Sequence, residues 1–329
     1  MRPFAYERAG DVAGALALLA QHPNAAVIAG GTNLVDHMKL GIASPDVLVD
    51  VSRLPFDRIE ELGDGGLRVG AGVRNADLAA DVRVRRRAPV LAEALLAGAS
   101  GQLRNLATTA GNLLQRTRCV YFQDVTTPCN KREPGTGCSA IDGWSRHHAV
   151  LGASRDCVAV HPSDMAVAMA MLDATVRVTS PDGERTIAIA DLHRLPGDEP
   201  DVDTTLRHGE LITAVDLPPP RRAARSRYRK VRDRASYAFA LVSVAAAIEV
   251  RDATVVDVRI ALGGVAHTPW RARRAEDALR GRPSEASEFR RAAEAELVDA
   301  VALRDNGFKI PMTRNLITSV LAELAADPA

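Results

Sequence analysis

Apolar residues in DVAGALALLAQ, 11–21, recur at helical spacing, and Asp11 stands where an N-cap belongs, so a helix is expected there. AAVIAGGTNLVDHMKL reads next as a short apolar strand, a Gly-Gly turn and a second helix, and PDVLVDVS as another strand. Residues 1–55 therefore form a small α/β unit. GLRVGAGVR, 66–74, has the pattern of a strand, Asn75 opens a helical stretch, and APVLAEALLAGA, 88–99, is a further helix.

From Arg116 to Ala149 the periodicity vanishes, and Thr, Pro, Gly, Asn and Arg dominate. A stretch this long without regular pattern inside a compact domain is usually functional or disordered. Pattern returns in DCVAVHPSDMAVAMAMLDATVRVTS as strand, turn, apolar helix and strand. Residues 193–220 read as a proline-punctuated loop followed by a strand. PPPRRAARSRYRK then marks a boundary, placed at 222. Beyond it, SYAFALVSVAAAIEV is a strand or a buried helix, TVVDVRIALGGVA is a strand, and RRAEDALRG, SEFRRAAEAELVDAVA and TRNLITSVLAELAAD are helical. The expected organisation is 1–222, in parts 1–55 and 56–222 with an insert at 116–157, followed by 223–329.

Composition narrows the function more than the fold. Apolar residues at 47% and charged residues at 25% describe a soluble globular chain. A net charge of +1 gives no reason to expect a nucleic-acid or membrane partner, and aromatics at 4% do not supply stacking platforms for single strands. MRPFAYERAGDVAG has neither an apolar core nor a cleavage site of an export signal, and no window approaches about 18 uncharged apolar residues. The expectation is a cytoplasmic chain without membrane insertion, with export on a folded partner left open.

Three turns have the chemistry of an anion site. Ala29-Gly30-Gly31-Thr32-Asn33-Leu34 joins a strand to a helix, where backbone N–H groups converge and glycine permits close approach. Thr108, Gly111 and Asn112 in ATTAGNL could add donors to the same anion. Ser163 and Asp164 in HPSDM precede an apolar helix, and the plain reading of either is an N-cap. None extends to a dinucleotide or nucleotide-triphosphate fingerprint. The basic run Arg221, Arg222, Arg225, Arg227, Arg229, Lys230, Arg232 and Arg234 reads as an interdomain strand or a subunit contact, because acidic residues balance it elsewhere. HExxH, GxSxG and a Ser/His/Asp grouping are all missing, so any chemistry belongs to a cofactor.

All four cysteines, Cys119, Cys129, Cys138 and Cys157, fall in one stretch of 39 residues. The paired knuckles usual for zinc are missing, and disulfides need an oxidising compartment. An iron–sulfur cluster needs only four convergent thiolates, with Arg116, Arg118, Lys131, Arg132 and Arg146 near enough in sequence to offset its charge. His147 and His148 are further ligand candidates, though exposed loop residues by default. Spacing alone leaves cluster, disulfides and zinc open.

AGGTNL, TTAGNLLQRTRC, HPSDMAVAMAMLDA, YRKVRDRASYAFALVSVA and FKIPMTRNLITSVL, in that order, resemble the FAD-binding medium subunit of the molybdenum hydroxylases, the family of xanthine and carbon monoxide dehydrogenases. The resemblance spans essentially the whole chain. The cysteine-bearing insert is similar to that of the periplasmic aldehyde oxidoreductase branch and, more distantly, of the 4-hydroxybenzoyl-CoA reductase β subunit, where it holds a [4Fe–4S] cluster. The resemblance implies an α+β fold: a vanillyl-alcohol-oxidase-type (PCMH) FAD-binding domain in two α/β parts, then a C-terminal domain of antiparallel sheet and helices.

It also implies that residues 29–34 wrap the FAD pyrophosphate, helped by Thr108, Gly111 and Asn112 and by Ser163 and Asp164. Lys230 would lie nearer the flavin ring, and Cys119, Cys129, Cys138 and Cys157 would ligate the cluster. Implied partners are a large molybdenum-cofactor subunit, a small [2Fe–2S] subunit and an external electron acceptor. An exported complex would travel on a partner's twin-arginine signal. One departure stands out: Ala110 occupies a position where the family has glycine, so it must have ordinary φ or the loop must shift. A stand-alone FAD oxidoreductase and a 4-hydroxybenzoyl-CoA reductase-type subunit remain alternative readings.

Overall fold

The computed structural model describes residues 1–220 and 225–326. Its first unit runs β1 (Ala5–Arg8), α1 (Val12–Gln21), β2 (Ala25–Ile28), α2 (Leu34–Leu40) and β3 (Val47–Asp50). The strands form a parallel sheet in the order β1-β3-β2. Asp11 caps α1 as expected, accepting from the Gly14 N–H at 2.7 Å. Strand β1 escapes sequence detection because all four of its residues are exposed, so it carries no apolar alternation.

The second unit comprises β4 (Ile59–Glu61), β5 (Leu67–Gly70), α3 (Asn75–Ala80), α4 (Val82–Arg87), α5 (Pro89–Ala97), α6 (Gly101–Arg104) and α7 (Thr109–Leu113). After α7 come α8 (Val120–Gln123) and α9 (Ser139–Asp142), two single turns within the insert. It continues with α10 (Asp164–Met171), β6 (Thr175–Ser180), β7 (Gly183–Ala188), α11 (Ile189–Leu192) and β8 (Leu211–Leu217). The strands form one antiparallel sheet ordered β4-β5-β8-β6-β7. Every residue of α10 is buried, so the helix is apolar all round rather than amphipathic. The strand expected in DCVAV, ahead of α10, does not form. That segment is bonded singly on either side, Ala149 N to Val158 O at 2.8 Å and His161 N to Ala266 O at 3.0 Å, and joins no sheet.

The third unit is β9 (Arg225–Val231), β10 (Val242–Arg251), β11 (Thr254–Gly263), β12 (Trp270–Arg271), α12 (Arg273–Leu279), α13 (Ala286–Glu296) and α14 (Lys309–Ala326). Its antiparallel sheet is ordered β12-β11-β10-β9. One face of β10 (Val242, Val244, Ala246, Ile248) packs into the core shared with α12, α13 and α14. The other face (Ala245, Ala247) packs into the core around α10. Burial on both faces removes polar alternation, which is why this strand reads equally as a buried helix.

The basic run is the strand between the units. Arg225 donates to the Leu324 carbonyl at 2.8 Å, Arg229 pairs with Glu323, and Arg232 donates to the Ala97 carbonyl at 2.9 Å. Arg221, Arg222 and the expected division at 222 lie outside the described residues.

Candidate functional site

A cavity of about 560 Å³ opens where α5, the start of α10 and the β9–β10 connection face one another. The first glycine turn reaches it through Thr32 and Asn33, while Ala29, Gly30, Gly31 and Leu34 stand behind the wall. Gly31 has φ +70°, a conformation that favours glycine. Gly30 is required by contact: a Cβ there would fall 2.0 Å from the Leu106 carbonyl oxygen. The first turn is thus laid directly on the chain entering the second. Asn33 adds a tie to the insert, its Oδ1 accepting from the Arg116 N–H at 2.9 Å.

The second turn is the N-terminus of α7. Thr108 caps it, accepting from the Gly111 N–H at 3.3 Å, and sits behind the wall that Gly111 and Asn112 line. Ala110 lies inside α7 and has no positive φ, which settles the question its substitution raised. The third turn starts α10. Ser163 Oγ accepts from the Ala166 N–H at 2.9 Å and donates to Asn112 Oδ1 at 2.5 Å, so a cap also joins two turns.

Asp164 and Lys230 both line the cavity, but as a pair. Lys230 Nζ donates to Asp164 at 2.7 Å and to the Ala97 carbonyl at 3.1 Å, and Tyr228 donates to the other carboxylate oxygen. Burial, reinforced by the Asp164 charge, pushes the Tyr228 phenol well above its usual range, so it remains a donor.

Sequence reasoning missed several groups on this wall. Asn75 is 2% exposed and its Oδ1 has no partner, a buried acceptor facing a cavity. Arg118 lines the wall, where it donates to the Arg116 carbonyl and lies over the Phe239 ring, 5.1 Å from its centroid. Burial moves it down from its usual value, but an arginine starts so high that it stays a cation. Trp144, Tyr237 and Phe239 are exposed at the cavity's edge, concentrating aromatics in a chain that has few. Only Arg118 carried a sequence signal, its place beside Cys119. A polar loop wall with a cation, set against Leu95, Met165 and Val167, suits a ligand with an anionic middle and flat apolar ends.

A second, small cavity is lined by Cys119, Cys129, Cys138 and Cys157 together, and all four are free thiols. Cys119 also lines the large cavity, so the two share a wall. Burial pushes Cys119 up to about 12 and Cys157 up to about 11, each raised further by neighbouring cysteines. The loop is held by side chains. Asn130 Oδ1 accepts from Gly135 N at 3.1 Å and Gly137 N at 2.7 Å, and Arg132 donates to the Tyr121 and Phe122 carbonyls at 2.9 Å.

Lys131 lines the cysteine cavity, yet its Nζ pairs with Asp203 and donates to the Pro200 carbonyl at 2.6 Å. Burial raises Asp203, but Arg116 and Lys131 outweigh it and hold the carboxyl at about 2. Arg146 pairs with Asp233 at 2.8 Å. Most of the basic residues expected to offset a cluster are therefore engaged elsewhere. His148 departs from the exposed-loop expectation: it is buried, lowered to about 4 by that burial, with Nε2 3.1 Å from Cys119 Sγ. Among the described residues no group of three or more His, Cys, Asp or Glu converges to hold a metal ion. No helix among them is long and apolar enough to cross a membrane.

Residues 2–220 match the family model described as the FAD binding domain in molybdopterin dehydrogenase. Residues 226–326 match the CO dehydrogenase flavoprotein C-terminal domain. The chain is 54% identical to the aldehyde oxidoreductase FAD-binding subunit PaoB of Escherichia coli K12, covering 99% of this chain and 100% of that one. It is 26% identical to a putative xanthine dehydrogenase FAD-binding subunit from the same organism, over 98% of this chain and 96% of that one. Among solved structures, a carbon monoxide dehydrogenase chain from Hydrogenophaga pseudoflava superposes with a TM-score of 0.78 at 25% identity, each chain covered in full (100%).

Proposed function

This chain belongs to the family of FAD-binding medium subunits of the molybdenum hydroxylases, and on that premise we propose that it is the electron-transfer subunit of an aldehyde-oxidising complex. The observation that carries the reading is the large cavity, built from three helix-opening turns and closed by the C-terminal sheet. Thr32, Asn33, Gly111, Asn112 and Ser163 hold the FAD diphosphate, with Arg118 as its cation. Asn75 supplies a buried acceptor. The Asp164–Lys230 pair fixes β9 against α10 and so sets the cavity's width. We place the division between the FAD-binding and C-terminal units at residue 222.

The partners are a large subunit with a molybdenum cofactor, where the aldehyde is oxidised, and a small subunit with [2Fe–2S] clusters. We further assign a [4Fe–4S] cluster to Cys119, Cys129, Cys138 and Cys157. Support comes from four free thiols around one buried cavity next to the flavin wall. A single zinc ion needs every sulfur within about 2.3 Å of one centre, whereas a four-iron cluster is held at its corners and tolerates wider spacing. When bound, FAD would supply one- and two-electron redox chemistry and the cluster one-electron chemistry, and the residues named here would hold the two on either side of the Cys119 wall.

The test is cofactor analysis of the anaerobically purified complex. One FAD per chain is expected, with four irons and four acid-labile sulfides beyond those the small subunit holds. Stoichiometric zinc without the extra iron would overturn the cluster assignment and leave the flavin reading standing. Isolation as an active lone flavoprotein, without a molybdenum subunit, would overturn the electron-transfer reading.

A further inference from the structure

His148 is placed with more restraint than an ordinary loop residue receives. Its carbonyl accepts from Asn306 Nδ2 at 3.2 Å and from Lys309 Nζ at 2.9 Å, and both donors are 0% exposed. Its N–H donates to the Ser145 carbonyl at 3.0 Å. Its ring stacks on Tyr121, centroids 6.2 Å apart and planes 30° from parallel. The start of α14, the turn before it and Ser145 thus fix the His148 backbone, while Tyr121 flanks its ring. What that imidazole faces is Cys119 Sγ, 3.1 Å from Nε2. Its other nitrogen, Nδ1, is buried without a partner. A neutral imidazole carries one proton, and the acceptor in reach lies at Nε2. The same ring lines the flavin cavity, so the Cys119–His148 pair forms the wall between the two cavities.

We propose that His148 is a tuning residue: it donates a hydrogen bond from Nε2 to the Cys119 sulfur and raises the reduction potential of the cluster on the side nearest the flavin. This rests on the cluster assignment above. An N–H aimed at a ligating sulfur stabilises negative charge there, and the reduced cluster carries one more electron than the oxidised one, so the bond favours reduction.

The test compares His148→Phe with His148→Gln in the intact complex. Phenylalanine keeps a ring against Tyr121 and removes the donor, while glutamine returns an N–H at about the same reach. Iron, sulfide and flavin contents are measured first, then the cluster is titrated potentiometrically with detection by electron paramagnetic resonance. The expected result is a Phe variant that keeps its iron and flavin but is harder to reduce. At a fixed ambient potential its reduced-to-oxidised ratio falls about tenfold, equivalent to ~59 mV for one electron. The Gln variant should lie near wild type.

A Phe variant with the wild-type midpoint, or Phe and Gln variants shifted alike, would overturn the proposal. Wild type lacking the extra iron would instead sink the cluster assignment itself, and iron analysis separates that case. Should the Phe variant not load iron, wild type labelled with 15N-histidine decides by pulsed resonance. A weakly coupled imidazole nitrogen with an exchangeable proton supports the proposal, and its absence refutes it.

Discussion

The three helix-opening turns at the large cavity and the cysteine insert sit side by side and are built by opposite means. Each turn starts a helix: Gly31 lies between β2 and α2, Thr108 caps α7 and Ser163 caps α10. Their geometry follows from local chemistry that any helix start would share. The insert has two single turns of helix in over thirty residues. It is held instead by side chains: Lys131 and Asn306 make long-range bonds to the Pro200 and His148 carbonyls, while Arg132 donates and Asn130 accepts within the insert. Local sequence can build a binding turn, but a loop that must bring four separated thiols together needs the rest of the fold to hold it.

The widest separation of the two regions should come from Cys129→Ser. It removes one of four thiols around the small cavity and touches none of the three turns. Loss of all the extra iron is expected with most of the FAD retained, read as lost broad visible absorption over a preserved flavin spectrum. Equal loss of both cofactors would show that the regions fold as one. Lys131→Met is the next largest. The side chain is 1% exposed, and removing it takes one of two cations from the half-buried Asp203 and strands the Pro200 carbonyl. Leaving a buried carbonyl without its charged donor costs about 2 kcal/mol. The loss should appear in denaturant unfolding and in faster amide exchange across the insert, with the turns unaffected.

Gly30→Ala tests the other region. The new Cβ would meet the Leu106 carbonyl oxygen at 2.0 Å, so the first and second turns must separate. Overpacking of this kind costs about 2 kcal/mol. FAD affinity should fall roughly thirtyfold, about 1.4 kcal/mol per decade, in a fluorescence titration of flavin-stripped complex, while iron content stays unchanged.

How far the sequence could be read follows the same division. Asp11, the Gly-Gly turn, α10 and the three C-terminal helices were legible because capping and periodicity are local signals. Strands β1 and β7 were not, since their side chains are mostly exposed and show no apolar alternation. In the site, Thr32, Asn33, Gly111, Asn112, Ser163, Asp164 and Lys230 reach the cavity wall. Ala29, Gly30, Gly31, Leu34 and Thr108 support it from behind, a distinction that depends on which side of a turn meets the next one. Asn75 was invisible for a different reason: its unpartnered acceptor exists only once the neighbours are in place. His148 was named as a ligand candidate, but its burial against Cys119 shows only in the fold.

The smallest expected effect bears most directly on whether the turns are independent pieces. Ser163 does two things: it caps α10 through Ala166 and it reaches Asn112 in the second turn. Replacing it with alanine removes both bonds. A lost cap alone costs about 1 kcal/mol of stability and should leave flavin affinity almost unchanged. The bond to Asn112 adds a separate consequence, because among the described residues the Asn112 side chain would keep one bond, from Gln115 Nε2 at 2.9 Å. Threonine at 163 keeps the hydroxyl and should retain both properties. If Ser163→Ala weakens FAD binding several-fold beyond its stability loss, the turns work as one linked cradle. If only stability falls, each turn is a self-sufficient helix start, and the difference between the turns and the insert is then one of autonomy rather than of degree.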